Sequence, residues 1–248
     1  GEGTRRDVYL ATVLWTFAAK KGDVESLYSL AQCTRDGVGA PGELWGGPNE
    51  EVALEMLEDL VRQVPHGWSM FAIATILMRR VSSEGGVASE AVEKRAMEMY
   101  RGAAEHGVAP ACLSLSNFFF LGLGGQEVDE KKGLFWLRKA AQLGDPVAQT
   151  QLGHRLSEGK GVGKDEKKAF QLFERAAAMG RPSSLHNLGV AYMSGVGVEK
   201  DEAKAVGYFR QAAKLGNLAS KWNLAHMLEA GRGCVQDFDQ ALQLLEEI

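Results

Sequence analysis

One segment of this chain recurs at a fixed distance, and that recurrence constrains the fold more than any local motif does. From Gly153 the sequence reads GHRLSEGKGVGKDEKKAFQLFERAAAMG, and from Gly189, 36 residues later, it reads GVAYMSGVGVEKDEAKAVGYFRQAAKLG. Aligning the chain on the glycine that follows an alanine pair gives Gly22, Gly67, Gly107, Gly144, Gly180 and Gly216, with spacings of 45, 40, 37, 36 and 36 residues. A period in this range is the signature of stacked units, none of which can bury its apolar face alone. A phosphate-binding loop is needed once, whereas a turn between helices is needed in every unit. The recurrence therefore assigns these glycines to turns.

Each unit reads as two helices. The pairs Ala18-Ala19, Ala103-Ala104, Ala140-Ala141, Ala176-Ala177 and Ala212-Ala213 precede their glycines, and only Gln63-Val64 before Gly67 departs from the pattern. Small side chains let neighbouring helices approach, and the following glycine can take the left-handed conformation that stops a helix. After the glycine, Ala148, Leu152 and Leu156 in one unit and Ser184, Leu188 and Tyr192 in the next form a stripe at i, i+4 and i+8. Gly153 and Gly189 sit inside that first helix at a cost of about 1 kcal/mol each relative to alanine, so a tightly crossing partner helix is expected there. The first helix then ends at a Gly-x-Gly turn, at Gly159 and Gly161, Gly195 and Gly197, and Gly231 and Gly233. Asp165, Asp201 and Asp237 follow, placed to cap a second helix whose apolar residues include Phe170, Phe173, Val206 and Phe209.

Composition agrees with this. Alanine, leucine and glycine dominate the 248 residues, and alternating β-branched runs are nearly absent. The net charge of -4 comes from mixed signs, so no basic field is offered to nucleic acid or to an anionic membrane, and Lys131-Lys132 and Lys167-Lys168 read as solvated helix starts. Cys33, Cys112 and Cys234 are too far apart for a zinc knuckle or a disulfide framework, which slightly favours a reducing compartment, cytoplasm or organelle interior. No run of eighteen apolar residues suggests a transmembrane segment, and the opening GEG looks like a cut or processed end.

The combination of Leu-Gly, Gly195-Val196-Gly197-Val198, Asp201, Lys204-Ala205, Tyr208-Phe209 and Ala212-Ala213-Lys214-Leu215-Gly216 closely resembles Sel1-like repeats, relatives of tetratricopeptide repeats with a longer inter-helix turn. The likeness runs from about Lys20 to Leu245 and is weakest between Asp36 and Arg80. The expected fold is all-α, a right-handed superhelical alpha-solenoid of antiparallel helix pairs. Residues 1–22 form a leading helix or N-terminal cap, centred on Val8 to Lys20. Residues 23–67 are a divergent repeat with an inserted loop at 37–50, and 68–107 are a second divergent repeat interrupted from Val81 to Ser89. Residues 108–144, 145–180 and 181–216 are regular repeats, and 217–248 are a last repeat lacking its alanine pair and glycine, either truncated or followed by a divergent cap. The resemblance implies an adaptor or scaffold that binds a protein partner. Two alternatives are an architectural subunit of a large multiprotein or organellar assembly and a regulatory part of an enzyme.

Local chemistry is sparse. Gly37, Gly39 and Gly42 satisfy GxGxxG by spacing but lack the strand and the directly opening helix that a dinucleotide needs, and Lys164 ends no Walker motif. His154 and His226 stand at equivalent positions in different repeats, with His186 off that register, which argues for surface histidines and against a shared metal. No catalytic residue, metal or cofactor is expected.

A binding surface is easier to place. Counting from the repeat glycine, position seven holds Ser29, Ser114, Gln151, Asn187 and Asn223, and position ten holds Gln32, Asn117, His154, Val190 and His226. These positions lie on a different flank of the first helix from its apolar stripe. In the related tetratricopeptide solenoids the first helices line the concave face, which nominates Asn117, Gln151, Asn187 and Asn223 as a track for peptide backbone, with His154 and His226 alongside. The alternative is that these side chains bond only to a neighbouring repeat's turn. Trp45, in the inserted loop, either plugs that loop or anchors a contact. In Phe118-Phe119-Phe120 the middle ring falls on the apolar stripe, so Phe118 or Phe120 reaches a partner or an adjoining repeat.

Overall fold

What sets the architecture is the pair of turns that ends each helix. A computed structural model describes residues 12, 15, 16, 18, 19, 22–36, 49–83 and 90–248. Among the described residues there are helices and no strand: α1 (Val24–Asp36), α2 (Glu50–Gln63), α3 (Gly67–Ser83), α4 (Glu90–Glu105), α5 (Ala109–Leu121), α6 (Glu130–Gln142), α7 (Pro146–Glu158), α8 (Glu166–Ala178), α9 (Pro182–Ser194), α10 (Glu202–Lys214), α11 (Leu218–Ala230) and α12 (Phe238–Glu246). Thr12, Trp15, Thr16, Ala18 and Ala19 of the expected leading helix are helical as well, and the rest of that segment lies outside the described residues.

At the corner between units, the glycine adopts positive φ, and the residue after it donates its N–H to the carbonyl of the first alanine of the pair. Gly144, Gly180 and Gly216 have φ of 92°, 77° and 82°, and Asp145, Arg181 and Asn217 donate to Ala140, Ala176 and Ala212 at 3.1, 3.3 and 3.0 Å. This is the Schellman closure of a helix end, which only glycine enters without a Cβ penalty. The alanines beneath it, among them Ala140, Ala176 and Ala212, are fully buried.

Gly67 departs from that scheme. It has no positive φ and opens α3 instead of ending α2. The corner is made by Pro65, which holds Val64 extended at φ -142° and ψ 125°, as a residue before proline must be. α3 also continues through Ser83, past the Val81 boundary expected for the interruption.

Within a unit the Gly-x-Gly turn closes the pair from both sides. Gly159, Gly195 and Gly231 cap α7, α9 and α11 in the left-handed region, and Gly161, Gly197 and Gly233 have φ of 67°, 74° and 68°. The same turn occurs at Gly122 and Gly124, with φ of 68° and 67°. The following aspartate then works twice. Asp165, Asp201 and Asp237 accept from the amides of Lys168, Lys204 and Gln240 at 3.0, 2.9 and 2.9 Å, capping the second helix. Their own N–H groups donate back to Leu156, Tyr192 and Leu228 in the first helix at 2.9, 2.8 and 3.0 Å. Helix order and antiparallel pairing follow from these short, doubly tied connections.

The contacts group the chain into two compact units, Gly1–Gly133 and Leu134–Ile248, each described by itself. In the first, α1 packs on α2, α2 on α3, α3 on α4 and α4 on α5, around Leu57, Ile73, Ile76, Tyr100 and Leu115. In the second, α7 to α12 pack consecutively around Phe173, Leu188, Phe209 and Leu224. The glycines inside first helices have the packing reason expected of them. A Cβ at Gly153 would stand 2.6 Å from the Phe173 ring of α8, and one at Gly189 would stand 2.6 Å from the Phe209 ring of α10. Within the second unit successive repeats also mesh backbone to backbone, since a Cβ on Gly197 would run into the Glu166 carbonyl and one on Gly233 into that of Glu202.

Two glycines separate strain from collision. Gly180→Ala meets nothing within 4 Å and should cost about 1–2 kcal/mol from its positive φ alone. Gly197→Ala adds the clash with Glu166 and should lower the urea midpoint clearly further; equal midpoints would refute the backbone contact. The cap aspartates Asp165 and Asp201 are held below the usual carboxylate range, first by the amides of Lys168 and Lys204. Their contribution is complete above the unfolded carboxyl value and is lost as pH falls through the lower folded one. Replacing both by Asn, which caps without titrating, should flatten the acid limb of stability against pH.

Candidate protein-binding surface

The first helices α7, α9 and α11 are turned by the same corners, so their equivalent side chains come into register. Thr150 of α7 and Ser184 of α9 share a hydrogen bond of 2.6 Å between buried hydroxyls. Next to them His186 Nδ1 lies 2.8 Å from Ser220 Oγ of α11, its ring tilted against Phe209 at 5.6 Å. Burial, and the nearby charge of His154, hold His186 below the ordinary imidazole value. His186 is thus half-buried inter-repeat packing and not the surface histidine expected.

A local histidine–serine contact occurs at the start of α3 in the first unit, where His66 Nδ1 lies 2.7 Å from Ser69 Oγ and His66 Nε2 lies 3.4 Å from Glu25. The three residues have the composition of a nucleophilic triad. Ser69 and Ser220 are both fully buried, so neither hydroxyl is open to a substrate. Among the described residues no group of three or more His, Cys, Asp or Glu side chains could hold a metal ion. Cys33, Cys112 and Cys234 are free thiols.

The nominated polar track divides by position. Asn187 and Asn223 are half-buried on α9 and α11, Gln151 is half-buried on α7, and His154 and His226 are exposed. Asn187 Nδ2 lies 3.0 Å from His154 Nε2, so the amide donates and the ring nitrogen accepts, linking two repeats on one face. The His154 ring also stands edge-on to Phe173, with centroids 5.3 Å apart. Burial holds His154 below the ordinary imidazole value, with Glu158 opposing. His226 pairs with Glu229 at 3.2 Å and packs against Trp222 at 4.1 Å between centroids. In the first unit Asn117 is exposed on α5.

Phe118 is not part of an open surface. It is 3% exposed and packs edge-on against Tyr100 of α4, with centroids 5.8 Å apart, which is the adjoining-repeat outcome. Its position on α5 aims it at the preceding repeat because Phe119, one residue on, occupies the core stripe. Phe120 is half-buried, and a Cβ at Gly133 would meet its ring at 2.6 Å. Trp45, with Gly37, Gly39 and Gly42, lies outside the described residues. Sequence reasoning passed over Trp222, 53% exposed on the first-helix face at the position that Thr150 and His186 hold in earlier units. A bulky ring in a column of smaller polar residues was the available signal.

The edge carrying the Gly-x-Gly turns is electrically neutralised. Lys160 pairs with Glu158, Lys164 with Glu166, Lys200 with Glu202 and Lys204 with Asp201, at 2.6 to 3.5 Å. An open cleft of about 540 Å3 between Lys164–Lys167 and Gly195–Glu199 is lined by the paired Lys164 and Glu166 together with Asp165, Lys167 and Glu199. Its three carboxylates outnumber its two lysines, so the cleft offers no net positive charge to a phosphate.

Antiparallel helix pairs joined by left-handed corners, repeat after repeat, define a repeat-helix solenoid. The Sel1 repeat model matches residues 78–108, 109–145, 146–180, 182–217 and 218–247, and the chain belongs to the Sel1 repeat family. Solved structures agree on the fold. A protective antigen of uropathogenic Escherichia coli, c5321, is similar over 95% of this chain with 24% identity and a TM-score of 0.74, and the chain spans 48% of its length. A Sel1 repeat protein from Oxalobacter formigenes is similar over 90% of this chain and 82% of its own, with 26% identity and a TM-score of 0.71. The immunity protein Pa5087 of Pseudomonas aeruginosa aligns over 90% of this chain and 80% of its own, with 19% identity and a TM-score of 0.51. No curated protein sequence matches the chain. No described helix is long and apolar enough to cross a membrane.

The accepting role of His154 Nε2 has a measurable sign. The ring should titrate below about 6.5 by NMR, and Asn187→Ala, which removes the donor to the neutral form, should move it back toward that value. Its contribution to stability is complete above the ordinary imidazole value and declines as pH falls toward the lower folded one. Titration at or above the ordinary value would contradict the burial of the ring, and an Asn187→Ala variant with an unmoved value would contradict the assigned hydrogen bond.

Proposed function

We propose that the chain is a non-catalytic protein-binding scaffold, and that it takes a polypeptide partner along the first-helix face of α7, α9 and α11. The observation that carries this reading is the register of Gln151, Asn187 and Asn223 on successive first helices, beside exposed His154, His226 and Trp222. Amides can satisfy a peptide backbone without the desolvation cost of a charge, and an exposed tryptophan supplies apolar contact area. Asn187 spends one amide hydrogen on His154 and retains its oxygen, so inter-repeat bonding and partner binding are compatible at that residue.

A specific observation also favours the architectural alternative. Leu143, Met179 and Leu215, the residues immediately before the corner glycines, are 45%, 63% and 54% exposed, one per unit along another edge. Such a row would suit burial in a larger assembly.

Capture of partners from the native source separates the two. Asn187→Ala with Asn223→Ala should reduce recovery of the cross-linked partner by about ten-fold while helix content stays unchanged, in line with loss of one or two net hydrogen bonds. Undiminished recovery, with cross-links confined to Leu143, Met179 and Leu215, would overturn the first-helix face in favour of the outer edge.

A further inference from the structure

Between α7, α8 and α9 lies a cavity of about 150 Å3. Phe173, Ala169 and Ala191 are its buried residues, Phe170 and Val190 line it further, and exposed His154 and Ser194 stand at its margin. It is smaller than the roughly 300–1,000 Å3 of a cofactor or drug-sized site, and its half-open, mainly apolar lining has room for one small hydrophobic group. Glu166, the one charged group lining it, is ion-paired with Lys164 at 2.6 Å.

The cavity has an identifiable cause. Thirty-six residues further on, the same frame of α9, α10 and α11 places Met193 where α7 has Ser157 and Met227 where α9 has Ala191. Met227 is 2% exposed and Met193 is packed against the same apolar cluster, so both thioether side chains are consumed in the fold there. The two floors share one aromatic ring, Phe173 sunk against Gly153 and Phe209 against Gly189, while the wall differs, with Phe170 where the next frame has Val206. In the later repeat Met193 and Met227 pack in one cluster with the smaller Val206, whereas the earlier repeat, with Ser157 and Ala191 at the methionine places, keeps a pocket beside the larger Phe170.

We infer that this cavity is completed in trans: it receives one leucine, isoleucine or methionine side chain of a bound polypeptide, while Asn187 holds the adjoining main chain. The inference rests on the first-helix face being the protein-binding face. Asn187 lines the cavity, and with its Nδ2 given to His154 its Oδ1 remains to accept a peptide N–H beside the entering side chain. Specificity at this point is for apolar size, and is set by Ser157 and Ala191.

The test uses the full chain and capped tripeptides followed by amide NMR shifts. Acetyl-Ala-Leu-Ala-amide and acetyl-Ala-Met-Ala-amide should give saturable shifts at Val190, Ala191 and Gly153, about ten-fold tighter than acetyl-Ala-Ala-Ala-amide. Acetyl-Ala-Asp-Ala-amide should give none. Transplanting the neighbour's residues, Ser157→Met with Ala191→Met, should leave helix content intact, hold or raise the unfolding midpoint, and abolish the leucine shifts. Should the double variant fold poorly, Ser157→Met alone should still weaken leucine binding. Equal shifts for all four peptides, or leucine binding that survives either substitution, would overturn the inference. Tripeptide binding with partner recovery unaffected by Asn187→Ala and Asn223→Ala would leave the cavity standing and remove the scaffold surface, and the reverse result would do the opposite.

Discussion

Everything in this molecule hangs on a helix stop that only glycine makes cheaply. At each regular corner the chain turns left-handed, and the next N–H reaches back to the first alanine of the pair. That bond ends the second helix at a set residue, and because the alanines below it have no bulk, the following helix can start close against the one just finished. Repeat this at a constant 36-residue phase, as between Gly144, Gly180 and Gly216, and successive first helices present the same positions to the same side. The candidate surface is thus a by-product of the corner, and no loop is needed to build it.

The role of backbone explains which parts were legible beforehand. Features enforced by φ and by capping leave a direct trace in residue type, so the Gly-x-Gly turns, the capping aspartates and the helix pairs could be read from Gly144 onward. The trace fails where a different chemistry makes the same bend. Pro65 replaces a left-handed glycine, so the alignment placed Gly67 at the end of a unit when it begins a helix. Side-chain direction was harder still. Phe118 sits between two other phenylalanines, and nothing in composition says that its ring turns toward Tyr100. Likewise the register of Asn187 and Asn223 was visible in the spacing, whereas the bond from Asn187 to His154 depends on how far apart α7 and α9 stand.

Polar groups on this face are arranged economically. Buried hydroxyls and imidazoles satisfy each other across repeats, as Thr150 does with Ser184 and Ser220 with His186, which spares the interior the cost of unpaired donors. Amides one flank further out keep part of their hydrogen-bonding capacity. Along the turn edge lysines and carboxylates are paired with one another, as Lys164 is with Glu166 and Lys200 with Glu202.

The meshing of Gly197 with the Glu166 carbonyl, and of Gly233 with that of Glu202, has a further consequence. Neighbouring units register through main-chain atoms, which every amino acid shares, so the outward column can change identity without disturbing the stacking. His154, Val190 and His226 occupy one column with three different surroundings and the same helix geometry. The scaffold is in that sense a blank ruled page, on which substitution can rewrite recognition line by line while the ruling stays where the glycines put it.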